Sequence, residues 1–272
     1  MSKLSSSMRR FKSGVFQRYT RRPFGRGYLS YRQTQLPQYV TASLPPDVLP
    51  EGWGLWLDER AVEYPWFFSR LPAAEGRLLD AGSVLNYDFV LSHPKLKNKA
   101  VSILTLAPEA DCYWRRGISY VYGDIRDCCF RDNYFDWIAC ISTLEHVGMD
   151  NTQFYTADVT KNEHSPESQL QALAELRRVL KPGGVLYLTV PCGRAADHGW
   201  LQVFDATRVQ MLLDAFRPEA CRTQYFRYTS AGWNTASADE CSEARYFDSS
   251  QQDGSLTELA AAEAVVCLEL AK

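Results

Sequence analysis

Residues 119–147 read SYVYGDIRDCCFRDNYFDWIACISTLEHV. Two short apolar runs, 119–123 and 135–142, each end on small or polar residues, Gly123-Asp124 and Ser142-Thr143. Short apolar runs bounded by turn signals are the mark of strands buried on both faces. Working outward, similar runs occur at 77–81, 100–106 and 185–190, separated by polar stretches of helical character. Strands alternating with helices imply a doubly wound parallel sheet. The clearest helix is 166–180, with Ser165 as N-cap, Pro166 in the first position, Leu170, Leu173, Leu176 and Leu180 on one face, and Gly183-Gly184 to end it. A helix over 58–71 brings Trp66, Phe67 and Phe68 to the core. After residue 200 come a capped helix, 205–216, and two strand-like segments, 222–229 and 264–270, which form an antiparallel edge pair. The fold expected is a Rossmann-like three-layer α/β sandwich: a seven-stranded, mostly parallel sheet with an antiparallel C-terminal edge hairpin.

The bulk properties agree with a globular domain. The 272 residues are 46% hydrophobic and 23% charged. No apolar run reaches 18 residues and the N-terminus lacks the apolar stretch of a secretory signal, so a cytoplasmic location is expected. The eight cysteines are scattered and form no CxxC pair, which points to free thiols and to no metal site. The net charge of −2 hides an asymmetry. Lys3, Arg9, Arg10, Lys12, Arg18, Arg21, Arg22, Arg26 and Arg32 all precede the first acid, Asp47, with Phe11, Phe16, Tyr19, Phe24 and Tyr28 interleaved. We therefore divide the chain into a basic, partly disordered extension, 1–49, and a compact domain, 50–272. Such an extension suits peripheral contact with an anionic membrane, or an organellar transit peptide. The acidic body argues against nucleic acid as the main partner.

Four loops at the carboxyl ends of the strands carry the functional signal. They are Leu78-Leu79-Asp80-Ala81-Gly82-Ser83-Val84-Leu85-Asn86, Ile103-Leu104-Thr105-Leu106-Ala107-Pro108-Glu109, Tyr122-Gly123-Asp124-Ile125-Arg126-Asp127 and Ile141-Ser142-Thr143-Leu144-Glu145-His146-Val147. Gly82 permits close approach of a ligand to the backbone, and Asn86 tolerates a left-handed conformation. With Leu176-Arg177-Arg178-Val179-Leu180-Lys181-Pro182-Gly183-Gly184 ahead of the fifth strand, the stretch 75–192 resembles the class I S-adenosylmethionine-dependent methyltransferases, in particular the methyltransferase type 11-like subgroup. The resemblance implies S-adenosylmethionine as cofactor. It implies that Asp80 and Gly82 border the methionine end, that Asp124 and Ile125 hold the adenine, and that Ser142 lines the central portion.

Two departures stand out. The second and third places of the family's glycine-rich loop hold Val84 and Asn86, and the acid that usually ends the second strand is Thr105. Thr105 retains one hydrogen bond for the ribose, with Glu109 within reach. The dehydrogenase alternative fails because no GxGxxG follows the first strand.

Methyl transfer asks the protein for alignment and, where the acceptor must lose a proton, for a base. His146 is the first candidate base; the alternatives for Glu145-His146 are a structural role or part of a metal site. His198, in Asp197-His198-Gly199-Trp200, is the second. His93 and His164 read as surface residues. The insertion 230–260, flanked by Tyr228, offers Trp233, Asn234, Glu240, Arg245 and Tyr246 to close over a polyhydroxylated acceptor. The expected activity is O-methylation of a small molecule or saccharide. The alternative is a non-catalytic relative that keeps the fold as a binding scaffold.

Overall fold

Strand β1 (Gly76–Ala81) buries four consecutive residues, Leu78, Leu79, Asp80 and Ala81, because it is flanked on both edges and covered on both faces. It pairs in parallel with β2 (Lys99–Thr105) on one side and with β4 (Phe135–Ile141) on the other. β3 (Ser119–Tyr122) extends the sheet beyond β2, and β5 (Leu180–Pro191) extends it beyond β4. Antiparallel strands complete it: β8 (Ala264–Ala271) pairs with β5, β6 (Ala220–Thr229) with β8, and β7 (Gly232–Ala236) with β6. In this computed structural model, which describes residues 27–42, 48–156, 158–248 and 261–272, the sheet order is β3-β2-β1-β4-β5-β8-β6-β7. The described residues thus form an eight-stranded sheet where seven strands were expected. The additional strand, β7, lies in the insertion and lengthens the antiparallel edge.

Alternation along the strands sorts the core into two layers. Leu78, Ile103, Ala139 and Tyr187 face the layer that contains α2 (Arg60–Arg70), with Tyr64, Trp66 and Phe67. Leu79, Leu104, Ile138 and Leu186 face the layer of α3 (Ser168–Val179) and α4 (Ala206–Phe216), with Leu173, Leu176, Leu212 and Phe216. Asp205 caps α4 by accepting the Arg208 N–H at 2.8 Å.

Several expectations need correction. α3 begins at Ser168, not at Pro166: Ser165 spends its backbone N–H on Gly148 O, at 2.6 Å, and Ser165 and Pro166 form the approach to the helix. Leu180 opens β5 instead of closing α3, and Gly183 sits inside that strand's first half, donating to Lys272 O at 2.6 Å. The domain also starts well before residue 50. α1 (Tyr28–Gln35) and the short helix after it pack onto the α2 layer, burying Tyr28, Leu36 and Val40. Arg32, counted in the basic extension, pairs with Asp58 inside the fold. Residues 1–26, and with them the membrane or transit role expected of the extension, lie outside the described residues. His93, expected at the surface, is half-buried: it stacks on Phe68 with centroids 3.7 Å apart, and burial together with Lys95 lowers its pKa to about 4. All eight cysteines are free thiols. No helix among the described residues is long and apolar enough to cross a membrane.

The insertion is anchored by its aromatics. Trp233 is fully buried, donates Nε1–H to Leu57 O at 3.0 Å and meets Tyr228 edge-on at 5.4 Å. Trp233→Ala should lower unfolding stability by about 3–5 kcal/mol through the cavity and the orphaned carbonyl; chemical denaturation of the two proteins measures it.

Candidate active site

Two hollows open where the parallel strands end. The first, a cleft of about 330 Å³, runs past Gly82, Thr105, Glu109, Asp124, Ile125, His146 and Asn151. This is the lower end of the size range for small-molecule sites. Its floor depends on Gly82, whose φ is +116°: a Cβ there would lie 2.1 Å from Thr143 Oγ1, so the loops after β1 and β4 meet without room for a side chain. Thr105 Oγ1 donates to Glu109 Oε1 at 3.3 Å, which brings a carboxylate to the end of β2. Asp124 lines the same cleft from the loop after β3. Partial burial opposes its charge, but Arg126, bonded to both of its oxygens and to Glu163, holds its pKa below the usual range.

Asp80 and Asn86 serve the cleft from behind. Asp80 is buried and accepts the Leu85 N–H at 2.8 Å through Oδ2, while Oδ1 has no donor among the described residues. Burial raises its pKa to about 7, against the pull of the Leu85 and Val84 amides. Asn86 braces the surrounding loops: Nδ2 donates to Asp111 O at 2.9 Å and Oδ1 accepts from Tyr120 at 2.7 Å. The left-handed residue of this loop is Ser83, with φ +61°, and not Asn86.

The second hollow, about 210 Å³, lies under α1. Tyr28, Arg32, Asp58, Glu59, Arg60, Ser142, Glu145, His146, Trp200 and Tyr246 are among its walls. Ser142 faces this pocket and not the cleft. With φ +40° it ends β4 in a strained conformation, and its Oγ donates to Glu63 Oε1 at 2.7 Å. Burial pushes the Glu145 pKa well above the carboxylate range and that of Glu59 to about 7.

His146 borders both hollows. Its Nδ1 lies 3.0 Å from Trp200 O. A carbonyl only accepts, so Nδ1 carries the proton and Nε2 keeps its lone pair. Burial lowers the imidazole pKa to about 4, so the ring is neutral at physiological pH. His198 stands one layer back, 3.4 Å from Asp248 and packed on Tyr246, outside the lining of the pocket. Of the described insertion residues only Tyr246 reaches the pocket; Trp233 is in the core and Glu240 caps its own short helix. Sequence reasoning missed Tyr28, Arg32, Asp58, Glu59 and Arg60. Four acids and bases between Asp58 and Glu63, at the start of a helix with an aromatic face, were the available signal.

The methyltransferase-domain family matches residues 96–188, from the loop ahead of β2 to the middle of β5. No curated protein matches the chain. Among solved structures, the chain is similar to 1,6-didemethyltoxoflavin-N1-methyltransferase of Burkholderia thailandensis, with bound S-adenosylhomocysteine, at 13% identity over 73% of this chain and 72% of that one (TM-score 0.43). It is similar to a possible histamine N-methyltransferase of Thermotoga maritima at 15% identity over 76% and 86% (TM-score 0.45). A [4+2]-cyclase matches at 17% identity over 90% and 95% (TM-score 0.47).

Asp80 yields a stability prediction. Its folded pKa is raised to about 7, against about 3.9 unfolded, so between these values the unfolded chain gives up a proton that the folded one keeps. Its contribution to stability is whole below pH 4 and declines as pH rises to 7. Asp80→Asn should match the wild type in urea unfolding at pH 4 and exceed it by roughly 1–3 kcal/mol at pH 8.

Proposed function

We propose that this chain is a class I S-adenosylmethionine-dependent methyltransferase that transfers the methyl group to a small-molecule acceptor seated in the pocket beneath α1. The observation that carries this is the position of His146, a wall of both the cleft and the pocket. The cleft suits the cofactor: carboxylates reach it from the neighbouring loops after β2 and β3, Glu109 and Asp124, and its floor is closed by Gly82 against Thr143. Asp124 and Ile125 would hold the adenine, Thr105 and Glu109 the ribose, and the backbone at Gly82 the methionine end, with the buried Asp80 behind it. Bound there, the cofactor supplies an electrophilic methyl carbon on a sulfonium.

Protein groups do the rest. The neutral His146 accepts, at Nε2, the proton that the acceptor's nucleophilic atom loses as it forms its bond to carbon. Trp200 O holds the imidazole in the required tautomer. α1 and Tyr246 wall the pocket and keep water from the proton transfer. Of the insertion residues expected to close over a saccharide, Trp233 and Tyr228 anchor the loop and Glu240 caps its own short helix. The acceptor must be argued from the pocket itself.

Calorimetric titration with S-adenosylhomocysteine tests the assignment. We expect micromolar binding, weakened about tenfold in Asp124→Ala. His146→Ala should bind within twofold of the wild type and lose about 100-fold in turnover. Absence of binding near millimolar concentration overturns the methyltransferase function.

A further inference from the structure

We infer that the acceptor bears an ammonium or other positively charged N–H donor, which the carboxylates of Asp58, Glu59 and Glu145 receive in the pocket beneath α1. This rests on taking that pocket as the acceptor site. Three carboxylate oxygens, Asp58 Oδ1, Glu59 Oε2 and Glu145 Oε2, are buried with no hydrogen-bond donor among the described residues. All three residues line the same pocket, and the Glu145 side chain is only 4% exposed. Buried acceptors without donors are rare and costly, so three around one hollow mark a place made for donors that arrive with a ligand.

The two arginines on the pocket wall do not fill that need. Arg32 is taken by Asp58 Oδ2, and Arg60 by Glu63 Oε2, with Glu59 3.8 Å away through its other oxygen. A hydroxyl would bring one hydrogen and no charge. An ammonium brings three hydrogens and the missing positive charge, matched to three oxygens. Tyr28, Trp200 and Tyr246 add aromatic rings to the lining, and these also attract cations.

Protonation gives the site a second signature. Burial holds Glu145 well above the carboxylate range and Glu59 near 7. The charged and titratable groups around them are Asp58, Arg60 and Glu63 from the segment entering α2, Tyr28 and Arg32 from α1, His146 beside Glu145, and Tyr246 from the insertion. A bound cation favours the ionised carboxylates, so its binding expels protons and strengthens as pH rises from 6 to 8.

The test is calorimetry on the full chain with n-butylamine and with 1-butanol, which shares its skeleton, in buffers of different ionisation enthalpy. We expect the amine to bind at least tenfold more tightly, with proton release and with affinity increasing over that pH range. Glu145→Gln should cut amine affinity at least fivefold while S-adenosylhomocysteine binds as before; should that variant fail to fold, Glu59→Gln and the wild-type pH profile decide. Equal binding of amine and alcohol, no binding of either, or amine binding without proton release overturns the proposal. Amine preference in a protein that does not bind S-adenosylhomocysteine would sustain the cation site and overturn the cofactor assignment instead.

Discussion

The carboxylate of Glu63 is fully buried and held on every side. Arg60 pairs with Oε2 from one turn before it on α2, while Ser142 at the end of β4 and Thr189 near the end of β5 both donate to Oε1. A buried ion pair is weak evidence of net stability, since desolvation offsets most of the attraction. Its directional bonds are another matter. They fix α2 against the two strand ends, so that Asp58, Glu59 and Arg60 face a pocket instead of solvent. They also engage the Ser142 hydroxyl at a residue in a left-handed conformation, which turns the chain after β4 and aims Glu145 and His146. Removing the Glu63 carboxylate would leave Arg60 buried without its partner, a loss that typically reaches several kcal/mol.

The two hollows that meet at His146 differ in electrostatic character. In the cleft Arg126 pairs with Asp124 and Glu163 and holds the Asp124 carboxyl below its usual range. The pocket holds more acids than its two arginines can neutralise, and burial keeps the remainder from ionising. Such separation of environments within one site is how neighbouring titratable groups are given different roles at one pH. The neutral imidazole of His146 stands between them, a wall of both.

Much of this was legible along the chain. The strand runs and their order followed from apolar segments that repeat between turn residues, and the family match beginning at residue 96 agrees with a resemblance carried by the second half of the motif set. The approach of Glu109 to Thr105 at the end of β2 was also readable, because they lie only four positions apart. The roles of Asn86 and His198 were not. Asn86 is spent on Asp111 and Tyr120, and His198 is screened from the pocket by Tyr246, contacts that join residues 25 to 48 positions apart.

Periodicity and local motifs therefore determined the parallel sheet, the helix layers and the cleft at the strand ends, since these depend on burial patterns and turns read over a few residues. The pocket was decided only by tertiary structure. Its walls come from α1, from the start of α2, from the loop after β4 and from the insertion, segments as distant as Tyr28 and Tyr246. Arg32 read as one more charge in a basic extension until Asp58 was found beside it. Whether a charged side chain is solvated or buried depends on what the folded chain brings against it.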